Sequence, residues 1–373
     1  MVASTDRLAS EVGVGLLGEG GGAVDAAVGV AFALAVVNPE AGNLGGGGFA
    51  VVRTADGVLA ALDFRSTAPG AATGDMFLDD RGRAVAERAQ VGALAVAVPG
   101  SVAGLAALHE RFGRLPWARV VGPAVELARG FAVTQRLTRS YPPHIVEGLA
   151  RFPETADIFL PGGAPPRAGT VFRQPDLART LERIRDRGGD GFYRGETAAG
   201  IVEALARQGG LVSRRDLEGY RPEWRAPLRI PCRGHTLVSM PPSSSGGVAL
   251  AQMALMLEDV EVGSLPWHGA EHVHLLAEVW RRAFADRNHY LADPAFTRLP
   301  METLLDPAYA RWRVRDVGPE ATASARTEPG VERFLNARDG DAVPGEGAPP
   351  GSVREGDHTT HLSVVDGEGG AVS

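Results

Sequence analysis

The sequence predicts an α+β protein, and three observations carry that expectation. Ala23 to Val37 is a 15-residue run, apolar nearly all round, that stops at Asn38-Pro39, as a buried helix would. Phe49 to Arg53 and Val58 to Phe64 are β-like stretches on either side of Ala55-Asp56-Gly57, a strong hairpin signal. Thr359 to Asp366 alternates and is rich in β-branched residues, which favours a strand.

The remaining elements follow in order. Residues 6–18 read as a helix with Asp6 as N-cap and Gly18 near its end. Helical patterns recur at about 100–112, 117–129, 175–187 and 196–208, the segment 228–240 reads as one strand, and 245–257 and 270–291 read as helices. Residues 338–358 are rich in Gly, Pro, Asp and Glu, with Val343 and Val353 as their only large apolar residues, and read as an exposed, flexible linker. The strand from Thr359 follows. Gly367-Glu368-Gly369-Gly370 then makes a turn, and Ala371-Val372-Ser373 begins another strand. A hairpin cut in its second strand suggests a fragment.

Composition excludes several functions. The 373 residues carry a net charge of -7 and no basic run, so nucleic acid is not an expected partner. The longest apolar run is shorter than the ~20 residues of a membrane span and contains Asp25, so no membrane span is expected. All 38 basic residues are Arg, which excludes Schiff bases, P-loop lysines and Ser-Lys dyads. The single cysteine, Cys232, excludes an internal disulfide and a multi-cysteine metal site. The first residues lack a charged stretch followed by an apolar one, so no signal peptide is expected in this chain.

Several motifs have ordinary structural readings. The run Gly45 to Gly48 lies between a helix and a strand with no Lys or Ser/Thr after it, so it reads as a tight turn packed beside another backbone, not a phosphate cradle. Ser243-Ser244-Ser245 precedes a helix without a G-x-S-x-G elbow and reads as an N-capping loop. The spacings of His268, His272 and His274, and of His358 and His361, do not suit a metal on one helix face. Arg65, after Leu62-Asp63-Phe64, reads on spacing alone as a structural arginine, although it is also placed to grip a carboxylate bidentately.

Asp357 to Asp366 admits a sharper reading than a loop feeding a strand. A threonine hydroxyl is a poor nucleophile without an adjacent base, and a free α-amino group on the same residue, with a pKa of ~7.7–8.0, is such a base. Making that amine requires cutting the bond before the threonine, and a flexible linker running into a rigid strand is the geometry such a cut needs.

Here the sequence resembles the γ-glutamyltranspeptidase family. The resemblance rests on Gly20 to Ala27, Gly42 to Phe49, Leu62-Asp63-Phe64-Arg65, Val98 to Gly104, Met240 to Gly247, Ala283-Phe284-Ala285-Asp286-Arg287, and Thr359-Thr360-His361-Leu362-Ser363-Val364-Val365-Asp366, seven motifs in the expected order. It implies an N-terminal-nucleophile hydrolase with a four-layer αββα sandwich, incomplete here. Residues 1–358 would be a large-subunit portion, 338–358 the linker, and 359–373 the start of the small subunit. Self-cleavage would fall between His358 and Thr359, leaving the two subunits as a heterodimer. Thr359 would be the nucleophile, Thr360 a supporting residue, and Arg65 the arginine that holds the α-carboxylate of a γ-glutamyl group. The implied donor is a γ-glutamyl peptide such as glutathione, with water, an amino acid or a peptide as acceptor. No cofactor or metal is expected, and the family implies a periplasmic or extracellular protein. Gly22 stands where the family motif has Asn. The residues for the substrate amino group and the oxyanion hole would lie beyond Ser373, so 1–373 alone is expected to be inactive. A relative of altered specificity, such as a cephalosporin (glutaryl) acylase or a capsule-polymer transpeptidase, or an inert truncated product, are the alternatives.

Overall fold

A computed structural model describes residues 1–339 and 359–373. These form two compact units. One comprises Met1–Trp224 with the C-terminal residues 359–373, and the other comprises residues 225–339. The expected linker, apart from the helical residues Arg338 and Asp339, lies outside the described residues, as does His358.

The first unit is built on a mixed-order antiparallel sheet. Its strands are β1 (Val2–Ser4), β2 (Phe49–Arg53), β3 (Leu59–Asp63) and β6 (Glu223–Arg225, where the unit ends), joined by β9 (Leu362–Val365) and β10 (Ala371–Val372). The spatial order is β1-β9-β10-β2-β3-β6, so the two C-terminal strands lie inside the sheet. Ala3 faces Ser363, Val372 faces both Val364 and Val52, and Val51 faces Ala61. A small separate pair, β4 (Phe131–Ala132) and β5 (Val171–Phe172), joins two loops.

The predicted buried helix is α2 (Ala23–Val37), in which every residue except Ala31 is buried. That explains its lack of a polar face. It packs against α1 (Arg7–Gly18), α3 (Ser101–Phe112), α4 (Trp117–Arg129) and the strands β9 and β10. The α1–α2 contact depends on glycine. A Cβ on Gly13 would lie 2.6 Å from Val30 Cγ2, and one on Gly29 would lie 2.3 Å from Leu16 Cδ1. Asp6 caps α1 as expected, accepting from the Leu8 N–H at 2.8 Å.

In the second unit the segment read as one strand is a hairpin, β7 (Leu228–Cys232) and β8 (His235–Ser239). Its turn is Arg233-Gly234, both with positive φ (49° and 78°). An arginine in that conformation gave no turn signal, which is why alternation ran through it. The helices Gly246–Met256 and Ala270–Tyr290 form where expected. Ser245 occupies the N-cap position, but its hydroxyl accepts from Arg287 Nε at 2.9 Å and does not cap the helix. Asp286, fully buried, ties the unit together. It accepts from Gln252 Nε2 (3.0 Å), Tyr309 Oη (2.7 Å) and the Gly330 N–H (2.9 Å), and pairs with Arg313 at 3.2 Å. No helix among the described residues is long and apolar enough to cross a membrane.

Candidate active site

The glycine run brings two backbones into contact. Gly48 exchanges hydrogen bonds with Phe64 (3.2 and 3.0 Å), and the Gly46 carbonyl accepts from the N–H groups of Gly100 (2.6 Å) and Ser101 (3.0 Å). A Cβ on Gly47 would lie 2.3 Å from Ser66 N, and one on Gly100 would lie 2.1 Å from Phe64 O. Only glycine allows this approach, and its result is a fixed path for Phe64-Arg65-Ser66.

Arg65 is held by its main chain and left exposed at its tip. Its N–H donates to Asp63 Oδ1 at 3.0 Å, and its carbonyl accepts from Tyr220 Oη at 2.9 Å. Tyr220 stacks on Tyr193, whose hydroxyl donates to the Pro99 carbonyl at 2.9 Å. Burial pushes both phenol pKa values up, so both stay neutral donors. The guanidinium lies 5.9 Å from the centroid of the Phe49 ring, and among the described residues no carboxylate pairs with it. An arginine so placed can take a carboxylate from outside the protein.

A cavity of about 170 Å³ opens beside it, lined by Asn43, Gly47, Phe49, Ser101, Thr360 and His361 among others. Ser101 Oγ donates to Asn43 Oδ1 at 3.3 Å within this wall. Thr360 and Phe49 thus line the cavity, while Thr359, exposed just before β9, adjoins Thr360 in the chain and the Arg65 guanidinium lies over Phe49. Thr359 and Arg65 are not themselves among the residues that line it.

The strand that presents Thr359 is fastened at both ends. Thr360 Oγ1 lies 2.9 Å from Thr5 Oγ1 at its head. At its tail Asp366 accepts from the N–H groups of Ala23 (3.0 Å), Glu368 (3.0 Å) and Gly370 (2.7 Å). Burial pushes the Asp366 carboxyl up, but these three donors outweigh it and hold the pKa below the usual range. The Ala23 N–H is at the N-terminus of α2, where a negative charge is favoured. Gly22 leaves room there: a Cβ on it would lie 3.2 Å from Arg114 Nε, and Arg114 pairs with Glu368 at 2.7 Å. His361 Nε2 lies 3.0 Å from Ser363 Oγ and 3.4 Å from Ser373 Oγ, bridging β9 and the end of β10.

Sequence reading singled out Arg65, Thr359 and Thr360; the structure adds Asn43 and Ser101 to the cavity lining and sets Thr5 beside Thr360. Asn43 and Ser101 fall inside quoted motifs, yet nothing in one sequence says which motif side chains meet. Among the described residues no three His, Cys, Asp or Glu side chains gather as a metal site. His272 Nδ1 accepts from the His268 N–H at 3.2 Å, and His274 Nε2 lies 2.7 Å from the Gly318 carbonyl.

Helices packed on an antiparallel sheet, in the arrangement of the solved neighbours, are the fold of the N-terminal-nucleophile hydrolase class. The chain belongs to the γ-glutamyltranspeptidase family, whose model matches residues 9–373. A glutathione hydrolase proenzyme of Pseudomonas aeruginosa is 41% identical over 378 residues, covering all of this chain and 62% of its own length. An acylase proenzyme of a Pseudomonas species (strain V22) is 39% identical over 380 residues, covering all of this chain and 64% of its own length. The crystal structure of Helicobacter pylori γ-glutamyltranspeptidase superposes with a TM-score of 0.86 at 38% identity, covering 89% of this chain and 96% of that one. The chain therefore spans less than two thirds of the length of these curated relatives.

Proposed function

We propose that this protein is a self-processing γ-glutamyltransferase and hydrolase in which Thr359 is the nucleophile. In maturation Thr359 Oγ attacks the His358 carbonyl carbon. The C–N bond of that peptide breaks, the nitrogen keeps its own hydrogen and takes the hydroxyl proton to become the new α-amine, and the acyl group rests on Oγ as an ester. Water hydrolyses the ester, releasing a carboxylate at His358 and restoring the hydroxyl. In turnover the α-amine takes the hydroxyl proton as Oγ attacks the γ-carbonyl of the donor. The leaving amine receives that proton, and the γ-glutamyl ester passes to water or to an amine acceptor.

The observation that carries this reading is the arrangement around one cavity. Thr360, next in the chain to Thr359, lines the cavity, and an arginine without a carboxylate partner among the described residues lies 5.9 Å from the centroid of the Phe49 ring in its wall. The test uses protein expressed from the complete gene. It should yield two pieces, the second beginning at Thr359 by mass spectrometry, and Thr359→Ala should remain one chain with no γ-glutamyl-anilide release. A new terminus at another residue, or two pieces from the alanine variant, would overturn the assignment.

A second reading keeps the chemistry and changes the donor. The acylase relative matches this chain about as well as the hydrolase does. A glutaryl group has one carboxylate for Arg65 and no α-amine. Comparing γ-glutamyl- and glutaryl-anilides at equal concentration separates the two.

A further inference from the structure

A run of hydrogen bonds reaches Thr360 from three separate parts of the first unit, and the direction of its first links is fixed by the arginine at its start. A guanidinium has only donors. Arg136 Nη1 donates to Asn38 Oδ1 at 2.7 Å, while its Nη2 is held by Glu40 at 2.8 Å. Asn38 is fully buried at the end of α2. With its oxygen taken by Arg136, its amide nitrogen faces Thr5 and donates to Thr5 Oγ1 at 3.3 Å. Thr5 accepts there and retains its own proton, and Thr360 Oγ1 lies 2.9 Å away. If Thr5 donates to Thr360, the Thr360 proton turns away from Thr5, and Thr360 lines the cavity.

We propose that Arg136, Asn38 and Thr5 form a positioning relay that sets the Thr360 hydroxyl as a hydrogen-bond donor into the cavity beside Thr359. The proposal rests on the reading of Thr359 as nucleophile and adds to it a function for three residues outside the motif. A donor aimed into the site in advance needs no reorganisation when negative charge develops on a reacting carbonyl oxygen. A merely structural chain would hold β9 equally well with its polarity reversed, and that difference can be tested.

Asn38→Asp keeps the shape and the Arg136 pairing but removes the donor to Thr5. Thr5 then donates to the new carboxylate and accepts from Thr360, so the number of hydrogen bonds is kept and the Thr360 proton is withdrawn from the cavity. Thr5 is exposed, and Thr5→Val removes the link without touching the core. The assay is γ-glutamyl-anilide release by protein expressed from the complete gene, with kcat and KM measured separately. Asn38→Asp and Thr5→Val should each lower kcat about tenfold with KM changed less than about twofold, and Thr5→Ser should restore kcat to within about threefold of wild type. Wild-type kcat in Asn38→Asp, a Thr5→Val loss that serine does not rescue, or a loss confined to KM would overturn the relay. Thr359→Ala is run beside them. Anilide release surviving in that variant removes the underlying reading, and with it the relay, whatever the other variants do.

Discussion

A bidentate arginine works through the match between its fork and a planar carboxylate, and such charge-assisted contacts contribute about 1.5–3 kcal/mol. Arg65 has its backbone fixed at both the N–H and the carbonyl, so its guanidinium is positioned by a stem that does not need to reorganise on binding. Arg65→Ala should therefore lower kcat/KM for the γ-glutamyl donor about 10- to 100-fold. Arg65→Lys should fail as well, since an ammonium cannot make the fork. Self-cleavage at Thr359 should proceed in both variants, because maturation uses no donor. Steady-state kinetics beside a denaturing gel checks all three expectations, and unchanged donor kinetics in a folded alanine variant would return Arg65 to a purely structural role.

At the scale of elements, the site depends on places where segments come closer than side chains permit. Gly100 begins α3 against the Phe64 carbonyl and the Tyr220 hydroxyl, and an added Cβ would lie 2.1 and 2.2 Å from them. Gly100→Ala must push back the loop that carries Arg65. The expected outcome is a loss of about 1–3 kcal/mol in stability by denaturant titration, with a rise in donor KM. In the helix Ala270–Tyr290 the critical group is Glu278, which is buried and paired with Arg281 and Arg282. Burial pushes its carboxyl up, but Thr322, Arg282 and Arg281 outweigh it and take the pKa from an ordinary 4.5 to about 2. A carboxylate lowered on folding contributes stability that is complete above its unfolded value and is lost as pH falls through the folded one. The second unit should therefore lose stability from about pH 4.5 down to about pH 2. Glu278→Ala, which removes the buried carboxylate that Arg281 and Arg282 share, should cost about 3 kcal/mol at neutral pH and flatten that acid limb in thermal melts followed by circular dichroism.

For the molecule as a whole, strand order governs what a cut before Thr359 would do. β9 lies between β1 and β10, and β10 lies between β9 and β2. Val364 and Val372 are buried against α2 in the main core. Cleavage would break the covalent chain without exposing this interface, and neither strand could leave without uncovering apolar surface and unpaired backbone groups. The two pieces should co-elute in size-exclusion chromatography under native conditions and separate only in denaturant. Native dissociation after cleavage would mean that the sheet does not hold the C-terminal strands as described.

The sequence by itself determined the local elements and marked the positions proposed to carry chemistry. Ala23–Val37 is helical over its predicted length because period and stop signals are local, and the hairpin around Asp56 formed because its turn residues are local too. Motif order singled out Arg65 and Thr359, whose roles are proposed. The tertiary structure alone decided which of these meet. Val2–Ser4 gives no strand signal in three residues, yet it pairs with β9, more than 350 residues away, because β9 offers it an open row of backbone groups. The hairpin 228–239 was misread as one strand because Arg233 takes a positive φ that its side chain does not advertise. Asn38 read only as a helix stop. Its part in a chain from Arg136 to Thr360 comes from packing, because hydrogen-bond partners are set by distance in space, which a single sequence does not record.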